Sequence, residues 1–141
     1  MGAVAAILVA ARDERLGAVA ADSPYADLEE SLGRHLALLY RLPRAPFLWF
    51  VTATYRLRFG VWPSRVSPLA AAPALHPRPL LLIQGGNDVR MPPQGAQAIV
   101  AAAGKPAELW LIRGAGHLEG FSLDPAGYID RLSRFFASSL R

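Results

Sequence analysis

The sequence of 141 residues contains no cysteine. Disulfide bonds, a thiolate nucleophile and a cysteine-based zinc site are therefore excluded. The three histidines, His35, His76 and His117, lie far apart and show no spacing typical of metal ligands. We therefore predict no metal site and no cofactor.

Long apolar runs are also missing, since none reaches the roughly 20 residues that a membrane span requires. The apolar start at residues 2–11 precedes the first charges at residues 12–15. A secretory signal has the opposite order, with the basic residues first. We therefore predict a cytoplasmic protein without a transmembrane segment.

Acidic residues are absent between Glu30 and Asp88, where seven arginines occur. Such a stretch can meet an anionic substrate, a membrane surface or a nucleic acid. It contains neither a run of basic residues nor a nucleic-acid-binding motif, so we predict no nucleic-acid partner. Lys105 is the only lysine, so the sequence as a whole favours arginine. This compositional bias is a simpler explanation of the basic stretch than a nucleic-acid partner.

Apolar residues are abundant, at 52% of the sequence, and only 18% of the residues are charged. This composition is typical of one globular domain, which we assign to residues 1–141. Short apolar runs alternate with helical patterns, which predicts an α/β fold with a parallel sheet and flanking helices. The predicted strands are residues 17–22, 80–84 and 108–112, and the predicted helices are residues 2–11, 47–59, 92–103 and a last one opening at Asp124 and Pro125.

Residues 24–78 form a predicted helical insertion between the first two strands. Ser23 is a suitable N-cap and Pro24 a suitable first residue for a helix that begins there. Residues 63–79 hold five prolines and are predicted to be an irregular connection. Two helices have predicted apolar faces: Phe47, Phe50, Val51, Thr54 and Leu57 in one, and Tyr128, Ile129, Leu132, Phe135, Phe136 and Leu140 in the last.

Two chemically useful side chains follow neighbouring predicted strands. Asp88 lies in QGGNDVRMPP after residues 80–84, and His117 lies in RGAGHLEGF after residues 108–112. The carboxyl ends of parallel strands meet at one edge of the sheet, so the two side chains can come together there. A carboxylate held against an imidazole fixes the tautomer of the ring and stabilises the imidazolium.

These segments resemble those of the α/β-hydrolase family. LLLIQGGNDVRMPP is similar to the strand and loop that carry the acid of its catalytic triad, and AELWLIRGAGHLEGF to those that carry its histidine base. The resemblance implies that Asp88 is the acid and His117 the base, in the last three strands of a partial α/β-hydrolase fold with a helical cap. Residues 1–30 fit as well, because family members commonly have A-D-S-P where Ala21 to Pro24 stand.

The sequence departs from the family in one respect: it has no G-x-S-x-G upstream of Asp88. By the resemblance, Met1 occupies the position just after the nucleophilic serine, and its backbone N–H would be an oxyanion-hole donor in a complete enzyme. We therefore expect a partial domain that is inactive alone and that is aggregation-prone, partly unfolded or self-associated through an open strand edge. The complete enzyme would act on a small-molecule acyl substrate, namely an ester, a thioester or an amide.

Three alternatives stay open. Asp22 ends an earlier strand and is a rival acid, although it also fits a helix start. Phe47, Phe50 and Trp62 either line an acyl pocket or pack within the cap. Finally, the chain can be a non-catalytic module of the same fold that binds a ligand or a protein.

Overall fold

The structure, a computed structural model, describes residues 1–140. The strands are β1 (Val19–Asp22), β2 (Leu80–Gly85) and β3 (Glu108–Ile112). The helices are α1 (Gly2–Ala10), α2 (Leu28–Tyr40), α3 (Phe47–Phe59), α4 (Pro68–Ala71), α5 (Pro93–Ala103), α6 (Gly120–Leu123) and α7 (Pro125–Ser139). Single 3₁₀ turns at Pro63–Arg65 and Ala72–Leu75 join α4 in the segment predicted to be irregular.

The three strands form one parallel sheet in the order β1-β2-β3, which confirms the predicted fold class. Leu82 of β2 pairs with Ala21 on one side and with Leu109 on the other. Every residue of β2 is buried. A central parallel strand covered on both faces is apolar throughout, which explains the run of four apolar residues that begins at Leu80.

Most of the core lies on one face of the sheet, beneath α1 and α5. Leu80 and Leu82 of the central strand pack there with Ile7 of α1 and Ile99 of α5, and all four side chains are fully buried. Burial of such side chains contributes roughly 1.5–3 kcal/mol each. This face therefore provides most of the apolar stabilisation of the sheet that positions the site.

The opposite face is covered by α7, which begins as predicted. Asp124 caps its first turn by accepting a hydrogen bond from the backbone N–H of Gly127 at 2.9 Å. The ring of Tyr128 in α7 packs against that of Trp110 in β3 at a tilt of 41°, with ring centroids 5.4 Å apart. No residue of α7 is fully buried, and Ile129 in the predicted apolar face is exposed. The cover on this face is therefore looser than that on the other.

The helix predicted to begin at Ser23 and Pro24 does not begin there. Ser23 has a left-handed backbone with φ of 51°, and its hydroxyl donates to Asp22 Oδ1 at 2.8 Å. Because that hydroxyl is engaged with its neighbour, it does not cap a helix. The cap is Asp27, whose side chain accepts from the backbone N–H of Glu30 at 3.1 Å, and α2 starts one residue later.

The predicted helix α3 is present, but the predicted apolar face is not the buried one. Its one buried residue is Thr52, whereas Leu57 of the predicted face is 88% exposed. Apolar side chains lie all around this helix, so their spacing did not identify the covered side. The helix packs mainly against α2 and the 3₁₀ turn at Pro63–Arg65.

Within the described part of the chain, helices long and apolar enough to cross a membrane are absent. The cytoplasmic location stays a prediction.

Candidate active site

The candidate site lies where β2 and β3 end, between the loops that follow them. The backbone N–H of Gly86 donates to the carbonyl oxygen of Ile112 at 2.9 Å. The N–H of Asn87 likewise donates to the carbonyl oxygen of Ala115 at 2.9 Å. These bonds continue the pairing of the two strands beyond the sheet. They fix the loop that carries Asp88, which we term the acid loop (86–92), against the loop that carries His117, the histidine loop (113–119).

Glycine at position 85 allows this close approach. A Cβ atom there would lie 2.6 Å from the carbonyl oxygen of Ala115, and still closer to that of Gly116. Both contacts are with backbone atoms, which cannot move aside as a flexible side chain can. The absence of a side chain at Gly85 is therefore a condition for bringing the two loops together.

Asp88 is held by four donors, two on each carboxylate oxygen. Oδ1 accepts from the backbone N–H groups of Arg90 at 2.9 Å and Met91 at 2.8 Å. Oδ2 accepts from Gln84 Nε2 at 3.1 Å and lies 2.7 Å from His117 Nδ1. The side chain of Asp88 is completely buried. A buried carboxylate is tolerated only when it is paired in this way, so these contacts also fix its plane.

His117 is the exposed partner of the pair, since a quarter of its side chain is accessible. A neutral imidazole that donates from Nδ1 to a carboxylate leaves Nε2 unprotonated as an acceptor. Hydrogen bonds from residues 1–140 to Nε2 are not present. The ring is therefore arranged to take a proton from a group that approaches its Nε2 side.

The histidine loop is shaped by two left-handed residues and one carboxylate. Gly114 has φ of 78° and Leu118 has φ of 60°. Glu119 accepts a hydrogen bond from the backbone N–H of Gly116 at 2.8 Å. The loop thus folds back on itself at the point where it presents His117. Glycine adopts the positive φ at position 114 without the steric cost that a side chain would bring.

Two residues of the site, Gln84 and Glu119, were missed by reasoning from the sequence. Gln84 is fully buried, and its Nε2 donates to Met91 O at 2.7 Å as well as to Asp88. The available signal was its place as a polar residue at the end of an otherwise apolar buried strand. Glu119 offered no signal, because only the folded loop brings its carboxylate to Gly116.

Asp22, the rival acid, has partners of its own. Its Oδ2 accepts a hydrogen bond from the hydroxyl of Tyr128 at 2.7 Å, and its Oδ1 accepts from Ser23. Burial raises the pKa of Tyr128, and the hydrogen bond to Asp22 raises it further. Asp22 therefore ties β1 to α7, and it makes no hydrogen bond to His117.

The remaining predicted site residues lie apart from the pair. Phe47 and Phe50 are on α3 and Trp62 follows it, all three exposed, and hydrogen bonds or ring contacts from them to Asp88 or His117 are not observed in residues 1–140. Met1 is the N-cap residue of α1 and is 88% exposed. A cavity of about 380 Å³ borders the acid loop, although His117 does not line it. Clusters of three metal-ligating side chains are absent from residues 1–140.

Solved structures similar to this chain include esterases and an α/β hydrolase. An esterase from Pyrococcus furiosus superposes with a TM-score of 0.73 at 22% identity, covering 99% of this chain and 51% of the esterase. An α/β hydrolase from Penicillium sp. sh18 superposes at 0.68 with 17% identity, covering 97% and 60%. The esterase domain of a Rhodothermus marinus protein superposes at 0.66 with 21% identity, covering 96% and 55%. At these identities the likeness establishes the fold.

In sequence, the chain is 29% identical to the uncharacterized Bacillus subtilis protein YqkD over 137 residues, which is 96% of this chain and 45% of that protein. No family model matches the chain. The chain thus spans about half the length of the curated relative and of the Pyrococcus esterase that it matches.

Proposed function

We propose that this chain, which has the α/β-hydrolase fold, carries the acid and the general base of an acyl-transfer triad in Asp88 and His117. The observation that carries the proposal is the pairing of a fully buried carboxylate with a partly exposed imidazole at 2.7 Å. This pair lies at the carboxyl edge of a parallel sheet, where enzymes of this architecture gather their reactive groups.

The proposed roles follow from the geometry of the pair. A serine hydroxyl near Nε2 of His117 gives up its proton to that nitrogen as its oxygen attacks the carbonyl carbon of an ester, thioester or amide. Asp88 stabilises the imidazolium that results. The imidazolium then donates the proton to the leaving group as the acyl–serine bond is retained. In the second half of the reaction, His117 takes a proton from water as its oxygen attacks the acyl carbon. The imidazolium then returns that proton to the serine oxygen as the carboxylic acid leaves.

In this proposal, the serine is supplied by a part of the complete hydrolase that residues 1–141 do not include, since the chain covers 51% of the Pyrococcus esterase and 45% of the Bacillus protein. Hydrogen bonds from serine hydroxyls to His117 are not found among residues 1–140. We therefore expect the 141-residue chain alone to be inactive. The backbone N–H of Met1 would serve as an oxyanion donor only beside that serine.

The segment between β1 and β2, residues 24–78, is proposed to form a cap over the substrate. Its aromatic side chains support this role, because Phe47, Phe50 and Trp62 remain exposed rather than packed in the core. A small-molecule acyl group would bind against them. The esterases among the structural neighbours make an ester the first substrate class to test.

The outer edge of β1 is proposed as the surface through which the chain pairs with another strand. In the sheet of residues 1–140, β1 pairs with β2 on one side only. An unpaired strand edge is a template for further pairing. Size-exclusion chromatography of the 141-residue chain should show a dimer or larger species, and a monomer at all concentrations would contradict the proposal.

The direct test measures ester hydrolysis by the complete hydrolase. His117→Ala should lower kcat on the order of 10³-fold or more, because removing one triad member disables the unit. His76→Ala is the matched control, since His76 lies outside the site, and it should retain activity. A loss below tenfold for His117→Ala would count against its role as base.

The alternative, a non-catalytic binding module, is favoured by one observation: the described residues present no nucleophile to His117. A fluorophosphonate probe separates the two functions. The complete protein should be labelled at one serine, and the 141-residue chain should not be labelled. Absence of labelling and of hydrolysis in the complete protein would leave the binding module as the better account.

A further inference from the structure

We infer that Gln84 is a positioning residue, which acts through Asp88 to hold His117 in the tautomer that leaves Nε2 free to accept a proton. This inference rests on the proposed function, in which His117 is the base. Gln84 touches neither His117 nor any reacting atom, so its effect passes through the carboxylate.

The orientation of the Gln84 amide is fixed by its two partners. Nε2 lies 3.1 Å from Asp88 Oδ2 and 2.7 Å from the carbonyl oxygen of Met91. Both partners are acceptors, and an amide nitrogen has two N–H groups to give. The reversed amide would place its oxygen against a carboxylate and a carbonyl. The contacts therefore allow only the orientation in which Gln84 donates twice.

The oxygen of the same amide shows that these two bonds are kept at a cost. Oε1 of Gln84 is buried and has no hydrogen-bond partner among residues 1–140. An unsatisfied buried acceptor is destabilising, and an apolar residue of similar shape would avoid it. A glutamine at this position of a fully buried strand is therefore explained by its donors and not by packing.

The two bonds of Gln84 together immobilise the acceptor that faces His117. The hydrogen bond to Met91 O fixes the end of the acid loop next to β2. The backbone N–H of Met91 in turn donates to Asp88 Oδ1 at 2.8 Å. The bond to Oδ2 fixes the other oxygen, which lies 2.7 Å from His117 Nδ1. With both oxygens fixed, Nδ1–H has one well-placed acceptor and the ring keeps one tautomer.

Nitrogen NMR of the 141-residue chain, labelled with ¹⁵N-histidine, tests this inference without turnover. The unmodified chain should show His117 as a single Nδ1–H tautomer with a protected, downfield Nδ1 proton. Gln84→Met keeps the length of the side chain and removes both donors. It should lose the downfield proton and give His117 as a mixture of tautomers. His35 and His76 are internal controls whose signals should not change.

Two further variants separate positioning from packing. Gln84→His can direct one Nε2–H toward Asp88 Oδ2 but cannot also bond Met91 O, so it should retain part of the His117 signal that Gln84→Met loses. Gln84→Asn keeps the amide but is one methylene too short to reach Oδ2, so it should lose the His117 signal as Gln84→Met does. It provides the test if Gln84→Met folds poorly. Ile83→Met disturbs the same buried strand without touching Asp88, and it should leave His117 unchanged.

A His117 signal that is the same in Gln84→Met and Gln84→Asn as in the unmodified chain would overturn the inference. So would an equal loss of that signal in Ile83→Met, because the effect would then follow from packing. Neither result bears on hydrolysis by the complete protein. Conversely, a complete protein that hydrolyses esters without His117 would overturn the proposed function and leave the NMR result in place.

Discussion

The loops after β2 and β3 bury polar groups, whereas the connection between β1 and β2 exposes apolar ones. In the loops, Asp88 is completely buried and every oxygen of its carboxylate has two donors. In the connection, Trp49 is 65% exposed and Leu57 is 88% exposed. A fixed polar arrangement suits a reaction that needs one geometry, while exposed apolar surface suits contact with a variable ligand. Under the proposed function, the loops would carry the reacting groups and the connection would contact the acyl group.

The largest effect on stability should come from Gly85→Ala, because it places a side chain where the acid loop and the histidine loop are in contact. The added Cβ would collide with the backbone of Ala115 and Gly116. Because neither loop can yield without breaking the bonds between them, we expect a loss of about 4 kcal/mol or more in the free energy of unfolding. Urea denaturation of the 141-residue chain measures it.

Gly95→Ala in α5 is the control for that substitution. A Cβ there would lie 3.5 Å from Ala26 Cβ, an ordinary contact. Alanine also suits a helix better than glycine does, so this variant should be neutral or slightly more stable. A loss below 1 kcal/mol for Gly85→Ala would mean that the loops are not held together as the structure has them.

The next effect contrasts two helical side chains, one in the core and one in the connection. Ile99→Ala empties a fully buried position and should cost about 3 kcal/mol. Leu57→Ala removes a side chain that contacts mainly solvent, and it should cost less than about 0.5 kcal/mol. Thermal melting of both variants compares them. Equal losses would show that Leu57 is covered, and they would contradict the statement that the connection exposes apolar side chains.

A smaller effect is expected on substrate binding by the complete hydrolase. Phe50→Ala should raise KM for long-chain acyl esters about threefold to tenfold with little change in kcat, because it removes contact area but leaves Asp88 and His117 in place. Short acetyl esters should be unaffected and serve as the internal control. A fall in kcat without a change in KM would place Phe50 in the catalytic machinery instead.

The smallest effect concerns the link between α7 and β1. The pKa of Tyr128 is raised in the folded state by burial and by its bond to Asp22, above the value of about 10 in the unfolded chain. The stability from Tyr128 is therefore fully present below about pH 10 and is lost as the pH rises further. Tyr128→Phe should cost about 1 kcal/mol at pH 8.

The difference between Tyr128→Phe and the unmodified chain should shrink above about pH 10, as melting between pH 8 and 11 would reveal. Burial also raises the pKa of Tyr25, so part of the alkaline loss will remain in the variant. Tyr40→Phe is the control, because Tyr40 is 67% exposed. A pH-independent difference for Tyr128→Phe would contradict the bond to Asp22.

The sheet and the pairing of the site could be predicted from the sequence because their signals are local. A continuous apolar run marks β2, and glycines mark the turns after β2 and β3. The meeting of Asp88 with His117 then follows from the parallel order of the strands. The likeness of both segments to the α/β-hydrolase family pointed the same way, and the fold agrees with it.

What could not be predicted depends on side-chain contacts and on coverage that exist only in the folded chain. The start of α2 was misplaced because the hydroxyl of Ser23 is engaged by Asp22, an alternative that sequence propensity does not reveal. The covered side of α3 was misjudged because apolar residues surround that helix. The hydrogen bond from Gln84 to Met91 O depends on the path of the acid loop, which forms only in the folded chain.

The most direct test of the central claim is the kcat of Asp88→Asn in the complete hydrolase, beside that of Asp22→Asn. Asparagine can still accept the two backbone N–H groups at Oδ1, but its NH₂ would face Nδ1 of His117 and favour the tautomer with a protonated Nε2. That tautomer cannot take the proton of the nucleophile. We predict that kcat falls about 10³- to 10⁴-fold with KM nearly unchanged for Asp88→Asn, while Asp22→Asn stays within tenfold of the unmodified enzyme. Retention of activity by Asp88→Asn, or an equal loss in Asp22→Asn, would contradict the account.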